Sequence, residues 1–135
     1  MLRKIFLSTI FSVLAVQAVV LDFEELVKNN NNNIDATFEQ YVTKSTKPVV
    51  VEFFMVGCGP CNQMAPIFKQ VSDEMPDVTF IKIEIRRFGT LADRLSIRSA
   101  PTFLYYKRGQ ELANKRHHPV DAATLRRNIK TNFSI

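Results

Sequence analysis

Tryptophan is absent from this chain, and cysteine and histidine each occur only twice among its 135 residues. Both cysteines fall in one stretch, "VGCGPC", residues 56–61, so there is a single CxxC and no second one to complete a four-cysteine zinc site. His117 and His118 are adjacent. Zinc-ligating histidines are usually separated by roughly three to five residues, so a mixed Cys and His site is disfavoured and no metal is expected. No internal repeat is visible. No RNA- or DNA-binding motif accompanies the charge, and no nucleic-acid partner is expected.

A long uninterrupted apolar run is missing as well. A membrane anchor needs about 20 mostly apolar residues, and the N-terminal run is broken by Ser8, Thr9, Ser12 and Gln17 and closed by Asp22. Arg3 and Lys4 precede an apolar stretch from Ile5 to Val16, and Val16, Gln17 and Ala18 form a small-residue cleavage site. The pattern is that of an export signal cut after Ala18, with an uncleaved anchor as the alternative. Either places the domain outside the cytosol, where disulfides persist.

What the chain does have is enough apolar content, 46% with 11 Phe, for the core of one domain. Charge is uneven. Residues 19–100 carry nine Lys/Arg against eleven Asp/Glu, and residues 101–135 carry seven against two. The local basic excess, in pairs such as Lys107-Arg108 and Arg126-Arg127, suits an acidic partner or anionic surface, but such pairs are more often solvated faces.

"VVLDFEELVK" reads as a short strand running into a helical turn, and Asn29 to Asn33 as a loop or disordered insert. Asp35 is a candidate cap for a helix whose Phe38, Tyr41 and Val42 share a face. "VVVEFFM", Val49 to Met55, is too continuously apolar for a half-exposed strand and predicts a central one, interrupted only by Glu52. Met64, Ile67, Phe68, Val71 and Met75 then recur at helical spacing, with Pro66 inside and Pro76 at the end. Val78 to Ile85 alternates as a strand, and Leu91 to Leu95 fits a short helix. Thr102 to Tyr106 and Glu111 to Lys115 read as a hairpin turning at Gly109, and Asp121 caps a last helix carrying Leu125, Ile129 and Phe133. Strands separated by helices run parallel and the hairpin adds an antiparallel edge, so the fold class is α/β with a mixed sheet.

The cysteine pair lies where a buried strand meets a helix. A thiolate at a helix N-terminus faces unpaired amides and the positive end of the macrodipole, which lowers its pKa. Cys58 is that thiolate. Cys61, one turn on and more shielded, suits the resolving role. Glu52 is costly to bury ionised, so its pKa should rise or a cation such as Lys82 on the neighbouring strand should compensate.

"VVVEFFMVGCGPCNQMAPIF" and "SIRSAPTFLYYKRGQE" resemble the two signatures of the thioredoxin family, at matching spacing and over about residues 34–133. The resemblance implies a thioredoxin fold, a single domain with a central mixed sheet flanked by helices, and a thiol-disulfide oxidoreductase. Residues 1–18 are then the signal, 19–33 an N-terminal segment with the asparagine loop, and 34–135 the domain. Carried over, Cys58 is the nucleophile and Cys61 the resolving thiol. Glu52 moves the resolving thiol's proton and Lys82 tunes it. Pro101 is a cis-proline, Ala100 offers backbone hydrogen bonds to an extended substrate, and Gly57, Gly59 and Pro60 complete the substrate side. No cofactor beyond the dithiol is implied. The implied partners are protein disulfides and an electron donor or reductase, with the chain a monomer that meets a membrane only if the N-terminus stays uncleaved.

The chain also departs from the family. Gly57 stands where a Trp usually precedes the first cysteine, Phe54 replaces another Trp, Glu52 stands for an Asp, and "RHHP" replaces a groove glycine. One or both histidines are expected to be exposed near the redox groove, where an imidazole, ordinarily titrating near about 6.5, would tune its charge. The Gly-Pro spacer favours a reductant-like potential, as thioredoxin lies near about -270 mV and oxidising relatives near about -120 mV. A disulfide oxidase or isomerase of the same fold and a non-catalytic adaptor are the alternatives. Asn132-Phe133-Ser134 matches a glycosylation sequon.

Overall fold

The computed structural model describes residues 18–116 and 121–135, with side chains described outside 113–116. Its strands are β1 (Val20–Asp22), β2 (Val49–Phe54), β3 (Thr79–Glu84), β4 (Thr102–Lys107) and β5 (Gln110–Arg116). Its helices are α1 (Phe23–Asn29), α2 (Ile34–Phe38), continued by a π-helical turn (Glu39–Thr43), α3 (Gly59–Glu74), α4 (Gly89–Arg94) and α5 (Ala122–Phe133). The strands form one sheet in the order β1-β3-β2-β4-β5. β1, β3 and β2 are mutually parallel, and β4 and β5 are antiparallel to their neighbours. The expected α/β class and mixed sheet are present.

β2 reads as an unbroken apolar run because both its faces are covered. Val49, Val51 and Phe53 point into a cluster with Phe23, Phe38, Ile81, Ile83 and Leu104, under α1, α2 and α4. Val50 points the other way, to Met64, Phe68, Phe80, Tyr105, Leu125, Ile129 and Phe133, under α3 and α5. The helical spacing of Met64, Phe68 and Val71 buries one stripe of α3, with Pro66 in its exposed interior. Arg126 of α5 forks onto the Glu74 carboxylate of α3, with one arm at 3.1 Å. Lys107, one of the basic residues read as a solvated face, donates to the Phe133 carbonyl, where a cation complements the end of α5.

Of the two readings of the asparagine tract, the loop holds and the disordered insert does not. The tract is an ordered turn: Asn29 ends α1, Asn31 and Asn32 take positive φ of 52° and 57°, and the Asn33 side chain accepts from the Ala36 amide at 2.9 Å. Asn tolerates the left-handed region and caps helices well, so a run that looked featureless is turn chemistry. Asn33, not Asp35, caps α2, and Asp35 pairs instead with Arg94 of α4 at 2.7 Å. Residues 19–33 thus supply an edge strand, a helix and core residues Phe23 and Val27 to the same sheet and cluster as the rest of the chain. The proposed signal up to residue 17, and His117 and His118, lie outside the described residues. Among the described residues no helix is long and apolar enough to cross a membrane.

Candidate functional site

β2 delivers its chain to the top of α3 through Met55, Val56 and Gly57. Gly57 has φ +80°, a left-handed conformation that glycine adopts at little cost, and a Cβ there would meet nothing within 4 Å. The Glu84 carboxylate, at the end of β3, fastens this loop from the side. It accepts from the Val56 amide at 3.4 Å and from the Arg87 amide at 2.6 Å.

Cys58 is the N-cap of α3, with extended backbone and a side chain that accepts from the Cys61 amide at 3.2 Å. Its sulfur therefore occupies the place where a Ser or Asp oxygen would satisfy an orphan amide at a helix start. Pro60 in the first turn has no N–H to leave unpaired. Cys58 and Cys61 form a disulfide with Cα atoms 5.2 Å apart. Cys58 is half-buried and Cys61 only 4% exposed, so one sulfur is open to attack and the other lies beneath it.

The segment 42 residues downstream arrives because β4 runs antiparallel to β2, pairing Thr102 with Phe53. That register sets the loop before β4 against the loop after β2. The Ala100–Pro101 peptide is cis, Pro101 is buried, and the Ala100 carbonyl oxygen lies 3.9 Å from the Cys58 sulfur. Gly59 and Pro60 are exposed, as is Val56.

Behind the disulfide, Glu52 is 3% exposed on the α3 side of β2. Burial pushes its pKa up from 4.5 to about 7, and the positive charge of Lys82 works in the opposite sense. Glu52, Lys82, Phe54, Asn62 and Cys61 line one small cleft of about 120 Å³. Lys82 is directly opposite Glu52 in the parallel register of β2 and β3, as expected. Its ammonium is shared, however: it lies 3.2 Å from the Asp22 carboxylate of β1 and 5.9 Å from the centre of the Phe54 ring. Asp22 and Glu84 were missed from the sequence. The alternation of β3 puts Lys82 and Glu84 on one face, which was a usable signal, but the partners of each depend on strand register.

All nine residues singled out from the sequence, Glu52, Gly57, Cys58, Gly59, Pro60, Cys61, Lys82, Ala100 and Pro101, thus gather at the end of the sheet where β2 stops and β4 begins, on or behind the disulfide. Among the described residues no group of three or more His, Cys, Asp or Glu is placed to hold a metal ion.

The Thioredoxin family model matches residues 21–131. The chain belongs to the thioredoxin family. It is 36% identical over 87 residues to Thioredoxin-1 of Schizosaccharomyces pombe, covering 64% of this chain and 82% of that protein. It is 37% identical over 76 residues to the chloroplastic Thioredoxin Y of Oryza sativa subsp. japonica, covering 56% of this chain. The match spans only 45% of the rice protein's length. The crystal structure of Malassezia sympodialis thioredoxin superposes with a TM-score of 0.63 at 31% identity, over 72% of this chain and 84% of that one. The family match begins at residue 21, within β1 and ahead of the asparagine turn, in keeping with the place of β1 in the sheet. The thioredoxin fold read from the two signatures is the fold of this chain.

Proposed function

We propose that this chain is a thiol-disulfide oxidoreductase that reduces protein disulfides through Cys58 and Cys61, and that it works outside the cytosol. One observation carries the reading. The half-buried sulfur of Cys58 caps α3 and receives the Cys61 amide, so a thiolate formed there is stabilised by a hydrogen bond and by the helix dipole together.

Starting from the dithiol, the Cys58 thiolate attacks a substrate disulfide, forming one S–S bond and releasing one substrate sulfur as thiolate. Cys61 then loses its proton and attacks Cys58, the mixed disulfide breaks, and the second substrate sulfur leaves as thiolate. Two electrons pass to the substrate, and the Cys58–Cys61 disulfide remains. Glu52 takes the Cys61 proton: a carboxyl raised to about 7 is partly ionised at neutral pH and matched to that task. The cis-peptide segment at Ala100 and Pro101 lies beside the attacked sulfur and offers its backbone to an extended substrate. Turnover requires a dithiol donor or reductase to return the pair to the reduced form. The redox-active pair is the whole of the chemistry, and no cofactor is invoked.

Export rests on the sequence of residues 1–18, where Arg3 and Lys4 precede an apolar stretch that ends in a small-residue site. Intact-mass measurement of the protein secreted or fractionated from its host checks it, and a chain that begins before residue 18 in the cytosolic fraction refutes it.

The deciding experiment is equilibration of the purified protein in glutathione and dithiothreitol buffers to obtain the Cys58–Cys61 potential. A value near about -270 mV supports the reductase, and one above about -180 mV makes the chain an oxidant or isomerase. Cys61→Ser should trap mixed disulfides with substrates. Absence of adducts would leave an adaptor.

A further inference from the structure

On the sheet face that meets α3 and α5, successive rows of side chains run across four strands in register. Val20, Phe80, Val50 and Tyr105 form one row, and every member joins the apolar cluster on that face. Two residues further toward the disulfide, the same face carries Asp22, Lys82, Glu52 and Phe103. The row has thus changed from apolar to a carboxylate, an ammonium and a second carboxylate, graded from the half-exposed Asp22 to the buried Glu52.

Lys82 sits between two acids and cannot give its whole charge to either. It ion-pairs with Asp22 at 3.2 Å, and it faces Glu52 across the cleft that also reaches Cys61. Asp22 is in turn held in place by its other oxygen, which accepts from the Glu24 amide at 3.0 Å as the cap of α1. One carboxylate thereby ties the start of a helix to the lysine beside the buried acid.

We infer that Asp22 is a positioning residue of the redox site: it holds the Lys82 ammonium toward the sheet edge and so limits how much of that charge reaches Glu52. The role of Glu52 in proton transfer belongs to the function proposed above, and the importance of Asp22 to exchange rests on that reading. The coupling among the three side chains does not.

The other groups around Glu52 are accounted for. From α3 come Cys61 and Lys69, the latter lining a neighbouring cleft of about 210 Å³ and ion-paired with Asp73. From β4 comes Phe103, uncharged. From β3 comes Lys82 and, through it, Asp22 from β1. Glu84, two residues along the same face of β3, is engaged by the Val56 and Arg87 amides, and the carboxylate that ion-pairs with Lys82 is that of Asp22.

The test uses the oxidised full-length protein, in which Cys61 does not titrate, with the Glu52 side-chain carboxyl followed by carbon NMR across pH. Asp22→Asn keeps an oxygen for the Glu24 amide, since Asn caps helices as well as Asp, while removing the charge. Without that competitor Lys82 favours ionised Glu52, and the midpoint should move down by roughly half a pH unit, the scale of a half-exposed ion pair. In a Lys82→Gln background the same substitution should move it far less. Asp22→Ser, another neutral cap, should repeat the result. An unchanged midpoint in both neutral variants, or an equal movement with and without Lys82, overturns the inference. An exchange rate with an unchanged pH profile in variants whose Glu52 midpoint has moved would instead refute the proposed proton-transfer role and leave the coupling standing.

Discussion

Glu52 is a buried carboxyl whose ionised form is costly where it sits. Its folded pKa of about 7 lies above its ordinary 4.5, so the folded protein holds a proton that the unfolded chain has released anywhere between those values. Stability linked to this group is fully present below about pH 4.5 and declines as pH rises through 7, by about 3 kcal/mol in total. Glu52→Gln should therefore stabilise the protein more at pH 8 than at pH 5. Urea titrations at the two pH values read this directly, and equal gains would contradict the buried-acid account. Glu84 makes a second residue-scale prediction. Removing its carboxylate as Glu84→Ala leaves the amides of Val56 and Arg87 without their acceptor. The Val56 amide should exchange with solvent about tenfold faster or more, and KM for a protein disulfide should rise further than kcat falls. Neither Glu84 nor Asp22 was legible in the sequence as part of the site, because their partners are set by parallel strand register. By contrast Cys58 and Cys61 were legible locally, as a CxxC at a strand-helix junction, and Pro101 was reached through the resemblance of its segment to the family's second signature.

Turns are where the elements of this protein are most sensitive to substitution. Gly57 and Gly109 both have positive φ, but their surroundings differ. Alanine at Gly57 would meet open space and should cost only about 1 kcal/mol of backbone strain. Alanine at Gly109 would place its Cβ 2.6 Å from the Thr43 carbonyl oxygen, backbone of the π-helical turn, and should cost clearly more, about 2 kcal/mol or above. Thermal unfolding of the two variants ranks them. At the start of α2, Asn33→Ala removes the cap on Ala36 and should cost about 1 kcal/mol. The elements themselves were read from periodicity with errors of a residue or two at their ends, as with β2 stopping at Phe54 instead of Met55. The asparagine tract stayed open between a loop and a disordered insert for a different reason. Low complexity usually signals disorder, yet each Asn here has a distinct backbone task, and identical letters conceal that.

Two apolar layers enclose the sheet, and the site sits at the end of its central strand, β2. Phe68 packs edge-on to Phe80 at 5.1 Å and tilts against Phe103 at 5.9 Å, joining α3 to the sheet. Phe68→Ala should lose about 3–5 kcal/mol, a large share of the stability of a domain this size, with the denaturant slope unchanged. The relation of β1 to the rest was hard to foresee, since three residues give little periodicity. It takes its place by pairing with β3, and with it comes Asp22. The missing tryptophan has a practical side at this scale. The molecule is dark in the tryptophan emission band, and Val56, 71% exposed and two residues before Cys58, has room for an indole. Val56→Trp would make the whole protein's fluorescence a single-site optical readout of its disulfide, with no background to subtract.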